Sequence, residues 1–399
     1  MHTRRQLLWT SMGFVLVGCG AADKPDSATP GADTGGSTPT GTPIIPGPAA
    51  CLDPPLGSFI RDLPFEDETP RDLETLTGEG LEGRYVLDLT TVDDAVLVVP
   101  TARFFIRTAQ PDLIDTADWV VRIGGRVSAP ADVPIADLLA LARPQGVVHF
   151  ECSGNTAYGG FGLQSAADFD GVPVGEVFAL AAAETTRVRI SGFDEHSAPS
   201  TGSDAGASWV FTVAELEAAG AFFATGMNGE ALPDDHGFPV RLVIPAWYGC
   251  AMIKWVNAID FVDENEPATG QMMEFASRTH QPGVPALARD YLPAEIDVAA
   301  LPIRVEEWEV DGERVLWIVG LVWGGTVAAP PLRLHLDDDE EGEPVEVCPE
   351  RTDARTWGLW SHTLPTPRRG SRSIWLTVDD PAVRTRRLDD RYYERFVDV

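Results

Sequence analysis

Cys152 follows the apolar run Gly146-Val147-Val148-His149-Phe150 and precedes Ser153-Gly154-Asn155. Such a run reads as a buried strand, and the Gly and Asn after it read as the loop at its exit. A thiol held there can act as a soft metal ligand, and a free Cys is equally at home as a small buried hydrophobe. Local sequence leaves both readings open. A second cluster lies in Met227 to Trp255, MNGEALPDDHGFPVRLVIPAWYGCAMIKW, where His236, Arg241 and Lys254 fall within one short stretch. Convergent cations and donors of this kind suit a ligand that ends in phosphate. Lys254 is the more telling, because the chain has only one other Lys, Lys24, and otherwise uses Arg for positive charge. The plainer alternatives are a structural turn histidine at His236 and a surface Lys at a strand end.

The elements that must position these groups are mixed. Trp119 to Val127 and Arg187 to Ile190 carry strand patterns, while Ile135 to Ala142 and Val174 to Ala183 have apolar residues at helical spacing. From Ile303 onward helical periodicity disappears. Short strands are predicted at Arg304 to Val310, Val315 to Val322, Leu332 to Leu336, Val345 to Cys348 and Ser373 to Val378, with a hairpin at Asp311-Gly312. Leu332, Leu334 and Leu336 alternate with Arg333 and His335, which predicts one buried and one wet face. Strands at this spacing suggest an immunoglobulin-like antiparallel sandwich. The fold class expected is α+β, a mixed α/β unit over 53–280 followed by an all-β sandwich over 285–399.

Composition narrows the function further. A chain of 399 residues with 44% hydrophobic content has ample material for two cores. Thirty Lys and Arg against 61 Asp and Glu give a formal charge of −31, which argues against nucleic acid as a partner. A local basic pocket can still reverse the sign where a small anion binds. Arg4 and Arg5 precede an apolar run, Leu7 to Val17, that is too short to span a bilayer, so residues 1–18 read as an export signal. Leu16-Val17-Gly18-Cys19 resembles a lipobox, and the stretch around Arg4-Arg5 resembles a twin-arginine signal. Residues 19–52 have the Gly, Pro, Ser and Thr composition of a tether. The expectation is an exported protein on the periplasmic face of a bacterial membrane, lipid-anchored at Cys19. The remaining cysteines, Cys51, Cys152, Cys250 and Cys348, form no CxxC pair for haem, zinc or an iron–sulfur cluster.

The NGE turn, the His-Gly-Phe-Pro-Val-Arg run, the WYG loop and the Lys-Trp pair together resemble the molybdopterin-binding domain of the sulfite oxidase family. Looser matches lie at Arg103 to Arg107, Glu151 to Asn155 and Gly206-Ala207-Ser208, and the C-terminal strands look like that family's dimerisation domain. The resemblance implies a molybdenum–molybdopterin cofactor with Cys152 as thiolate ligand to the metal and Arg107 beside it. It implies cofactor contacts from Phe105, Asn155, Ser208, His236, Arg241 and Lys254. It also implies a homodimer, a small-molecule substrate, and an external electron carrier such as a soluble cytochrome, with no haem in this chain.

Departures from the family pattern bear on the substrate. Family members that oxidise sulfite carry Arg-Asn-His, an Arg pair soon after Cys-x-Gly-Asn, and a Tyr some way past the Lys. Here Thr108 and Ala109 follow Arg107, Thr156 and Ala157 replace the Arg pair, and Phe275 falls near the Tyr position. A pocket with fewer cations is therefore expected, and an unpaired dianion would be poorly compensated in it. Oxo transfer to or from a small sulfur compound is the function implied. The alternatives are another oxyanion or a sulfoxide, with the enzyme running as a reductase, and a non-catalytic lipoprotein that keeps the fold.

Overall fold

Strand-forming runs dominate the described residues, and the molecule they build is α+β, with α-helices there of only four to seven residues. The computed structural model describes residues 52–66, 73–111, 116, 118–194 and 206–399, which fall within one compact unit. The signal, the lipobox and nearly all of the tether lie outside the described residues. Two five-stranded sheets carry the chemistry. In the first, Arg143–Glu151 pairs antiparallel with Gln164–Pro173, which pairs with Phe222–Met227; Glu230–Ala231 and Arg241–Val243 both add to Phe222–Met227. In the second, Val256–Val262 lies between Val120–Gly125, parallel to it, and Arg187–Gly192, antiparallel to it. Cys152, in the loop after Arg143–Glu151, and Arg241, at the start of its own strand, therefore belong to one sheet, while Lys254 stands just before a strand of the other.

The expected helix at Ile135 to Ala142 forms as Ile135–Leu141, but that at Val174 to Ala183 stops at Phe178. Strand-like pairing takes over there: Ser128 N donates to Ala182 O at 2.9 Å and Glu184 N to Arg126 O at 2.9 Å. Backbone groups that a longer helix would have used internally are satisfied across the chain instead.

A two-sheet sandwich occupies the late part of the chain. One sheet runs Ser58–Asp62, Ala299–Val310, Glu313–Trp323, Gly358–Pro365, so a strand from the start of the described residues joins strands far along the sequence. The other runs Glu343–Val345, Leu332–Leu336, Ser371–Val378, Arg395–Asp398. Val310 pairs with Glu313, and Asp311 and Gly312 both have positive φ, 51° and 83°, the two-residue turn expected from Asp-Gly. The expected wet face of Leu332–Leu336 is only half so. Arg333 is partly exposed, but His335 is buried, stacked on Trp375 at 3.9 Å and hydrogen-bonded to Asp339 O and Thr377 Oγ1, both at 2.8 Å. The strand expected at Val345 to Cys348 ends at Val345, because Val347 and Cys348 turn to pair with Trp360 and Leu359 of the opposite sheet. Cys348 is disulfide-bonded, whereas Cys152 and Cys250 are free.

A smaller apolar cluster fills the sandwich, and the larger runs from Leu87 to Tyr393. It joins Phe150 and Cys152 to Trp323, Trp357 and Leu388, so late strands pack directly behind the Cys152 loop.

Candidate functional site

Arg143–Glu151 delivers Cys152 to its loop, where Cys152 N donates to Leu163 O at 2.9 Å and Asn155 N donates to Cys152 O at 2.9 Å. Cys152 Sγ accepts the Gly154 N–H at 3.4 Å. The loop is thus closed by its own backbone and presents the sulfur inward. Cys250, the other free thiol among the described residues, borders the same space, and burial pushes it up to about 12, so it stays a thiol at neutral pH.

His236, Arg241 and Lys254 come together around Gly237. This glycine has φ 103°, and a Cβ placed on it would sit 3.0 Å from Lys254 Cβ and 3.1 Å from Arg241 Cβ. Only a residue without a side chain brings the two cations so close. Arg241 is buried over the Phe150 ring at 4.8 Å and donates through Nη1 to His236 O at 3.0 Å. Lys254 Nζ donates to Thr108 O and, at 2.8 Å, to Asp235 O, and lies 4.3 Å from the centre of the Trp255 ring. Burial, then the Lys254 and Arg241 charges, push His236 down to about 3, so its imidazole is neutral. Burial followed by Arg241 also drives Lys254 well below the ordinary ammonium range, and burial takes Arg241 down to about 9. Basic groups packed against one another in this way are destabilised until an anion arrives.

These groups line a single cavity. Phe105, Arg107, Cys152, His236, Arg241 and Lys254 all border it. Ser208 and Asn155 do not. Ser208 N donates to Gln271 Oε1 at 3.2 Å, beside Ala207, which does line the cavity. Asn155 is fully buried behind the Cys152 loop, where its Oδ1 accepts Leu163 N at 3.0 Å.

A second cavity opens on the other side of Cys152. Arg84, Arg107, Arg278 and Arg387 line it, with His280 and a single carboxylate, Asp390. Arg278 lies within reach of the sulfur: a Cβ on Gly154 would be 3.5 Å from its Nη1 and 3.9 Å from Cys152 Sγ. Burial and then the Arg107 charge lower Arg84 to about 10. Burial also lowers Arg107, with Cys152 acting in the opposite sense. The cation-poor pocket expected from Thr156, Ala157 and Phe275 is therefore not what forms. Thr156 borders this cavity, Phe275 borders the first, Ala157 packs against the core, and charge arrives from Arg84, Arg278 and Arg387. Arg278, three residues past Phe275, was within reach of a sequence reading. Arg84 and Arg387 stand in segments with no motif to mark them.

Residues 107–269 match the family model for the oxidoreductase molybdopterin binding domain. The chain carries a molybdopterin-binding domain of the sulfite oxidase type. The chain is 29% identical over 191 residues to mitochondrial sulfite oxidase of Macaca fascicularis, a match covering 45% of this chain and 34% of that protein. Against the NADPH nitrate reductase of Fusarium oxysporum it is 32% identical over 171 residues, covering 38% and 18%. The matched part thus spans about a third or less of these relatives' lengths. The fold is shared more widely. The crystal structure of the sulfane dehydrogenase SoxCD from Paracoccus pantotrophus superposes with a TM-score of 0.61 at 18% identity, over 79% of this chain and 80% of that one.

The first cavity fits a molybdopterin on its own chemistry. Phe104, Phe105 and Phe150 provide apolar wall for a flat ring system, and the buried Arg241 Nε has no hydrogen-bond partner within the protein, a donor left for a ligand. Among the described residues no three His, Cys, Asp or Glu side chains gather as a metal site.

Proposed function

We propose that the protein is a molybdopterin-dependent oxidoreductase acting on a small oxyanion, with Cys152 as the protein ligand to molybdenum. The observation that carries this reading is that Cys152 borders two cavities at once, one fitted to the cofactor and one lined by four arginines. Molybdenum held by a pterin dithiolene supplies two-electron oxygen-atom transfer. The protein's residues supply the rest. His236, Arg241 and Lys254 hold the anionic end of the pterin, Phe104 and Phe105 exclude water along its ring, and Arg107 spans both cavities. Arg84 and Arg278 gather and orient the anion in the second cavity, where their charge offsets the loss of its hydration, while Arg387, paired with Glu151, lines the same cavity. Sulfite is the first substrate to test, by resemblance to the relatives named above.

The remaining features of the reading follow from the sequence. The protein is exported and lipid-anchored at Cys19, passes electrons to an external carrier such as a soluble cytochrome, and pairs as a homodimer through residues 285–399. Metal and pterin analysis of the purified protein, followed by steady-state assays of sulfite and other oxyanions with an artificial acceptor, tests the central claim. Molybdenum and pterin near one per chain, with saturable turnover of an oxyanion, is the expected result. Protein with neither bound would overturn it. Light scattering at micromolar concentration checks the dimer, and a monomer there contradicts it.

A further inference from the structure

Cys152 is held in place by a side chain that enters from far along the sequence. Arg387, on the short helix Arg386–Asp389, is buried with its guanidinium between two rings, Tyr248 at 4.7 Å and Tyr392 at 4.8 Å. Its Nη1 donates to Glu151 Oε1 at 3.3 Å and to Tyr393 OH at 3.1 Å, and its Nη2 donates to Ser153 O at 2.8 Å and to Arg278 O at 3.4 Å. One planar fork thus binds the residue before Cys152, the residue after it, and the backbone of Arg278, whose side chain flanks the same loop. The Tyr248 ring adds the WYG loop to the same clamp.

Glu151 completes the cluster. Its carboxylate is fully buried and accepts Tyr393 OH at 2.7 Å on Oε1 and Trp323 Nε1 at 2.8 Å on Oε2. Every donor to it comes from Trp323 or beyond, and none from the sheet that carries it. A buried ion pair is a poor source of stability, since apolar packing of the same volume does as well or better. What such a pair does supply is one defined arrangement, because a planar, five-donor guanidinium meets its acceptors only in fixed directions.

We propose that Arg387, with Tyr393, is a positioning device for the Cys152 sulfur, so that the late part of the chain sets the geometry of the metal site. The identity of what Cys152 binds rests on the function proposed above; the clamp itself does not. Arg387→Lys keeps the charge and loses the fork, Arg387→Gln loses both, and Tyr393→Phe removes a single hydroxyl and is the mildest of the three. Two measurements on the full chain decide the matter. In the cofactor-loaded protein, the Mo(V) paramagnetic resonance spectrum should shift in all three variants, with lysine failing to restore the parental signal. In full-length protein made by cells unable to synthesise the pterin, alkylation of Cys152, read by peptide mass spectrometry with Cys250 as internal reference, should quicken by about tenfold in Arg387→Gln, the scale of one charge-assisted hydrogen bond. A smaller rise in the same direction is expected for Tyr393→Phe, which covers the case in which the arginine variants fail to fold. Parental spectra and alkylation ratios accompanied only by a lower melting temperature would make the cluster merely structural and overturn the proposal. A parent protein lacking molybdenum would defeat the proposed function, and the alkylation ratio would still decide the clamp.

Discussion

Cys152 borders both cavities, so removing its sulfur should separate cofactor binding from chemistry. In Cys152→Ala the pterin is expected to remain at near-parental content, because His236, Arg241 and Lys254 hold it elsewhere, while turnover of any oxyanion is abolished. Pterin fluorescence after extraction, measured beside the activity assay, checks both halves. Equal activity in variant and parent would remove Cys152 from the metal. Arg278 makes a different prediction. Its guanidinium contacts the Phe275 ring at 5.3 Å and lies near the sulfur, but it is exposed, so screening reduces what it contributes. A charge-assisted contact at the weak end of its range, about 1.5 kcal/mol, is about tenfold in affinity. Arg278→Ala should therefore raise KM for the oxyanion by about tenfold with little change in kcat, since the charge is felt in ground and transition states alike. A fall in kcat at constant KM would place Arg278 in the chemical step instead.

The turn at Gly237 is where local backbone geometry sets the spacing of Lys254 and Arg241. Gly237→Ala carries two penalties: a left-handed backbone that costs an L-residue about 1 to 2 kcal/mol, and a methyl group pressed against the stems of Lys254 and Arg241. Gly312 in the Asp-Gly hairpin also has positive φ, 83°, but open space around its missing side chain. Both substitutions should lower the melting temperature, and only Gly237→Ala should also lower pterin content per chain. Equal cofactor loss in the two variants would show that the glycine serves general stability and not the spacing of the cations.

Across the whole molecule, the contact between the Cys152 sheet and the late strands contains a histidine that must stay neutral. His149 is buried with Trp323 at 5.9 Å and Trp357 at 5.4 Å between ring centres, and its Nε2 pairs with Gln164 Oε1 at 3.0 Å. Burial pushes it down to about 3, against the pull of the Gln164 hydrogen bond and with a small addition from Arg351. The unfolded chain takes up a proton near pH 6.5 that the folded molecule refuses until about pH 3, so this residue lowers stability progressively as pH falls through that window. The slope is about 1.4 kcal/mol per pH unit, or roughly 2 kcal/mol between pH 6.5 and 5. His149→Gln should be less stable than the parent at pH 7 from lost packing, yet lose less on acidification. Denaturant melts at pH 7 and pH 5 test this, and parallel losses in the two proteins would show that other groups govern the acid limb.

The sequence by itself determined the parts of this protein that depend on short-range pattern. Asp311-Gly312 specifies its turn because two adjacent residues must both take positive φ, and the run from Gly146 to Phe150 specifies a buried strand with Cys152 at its exit. His236, Arg241 and Lys254 lie close enough in sequence to be read as one cluster of cations and donors, and all three border one cavity. Only the tertiary structure decided the arginine-lined cavity. Arg84, Arg278 and Arg387 are separated by long stretches of chain, each reads alone as one more surface arginine, and only folding brings the three segments to one cavity. The same holds for Glu151, His149 and His335. A buried polar side chain is tolerated only where its partners are supplied, and here those partners, Arg387, Tyr393, Trp323, Gln164 and Thr377, are brought in by folding and not by proximity along the chain.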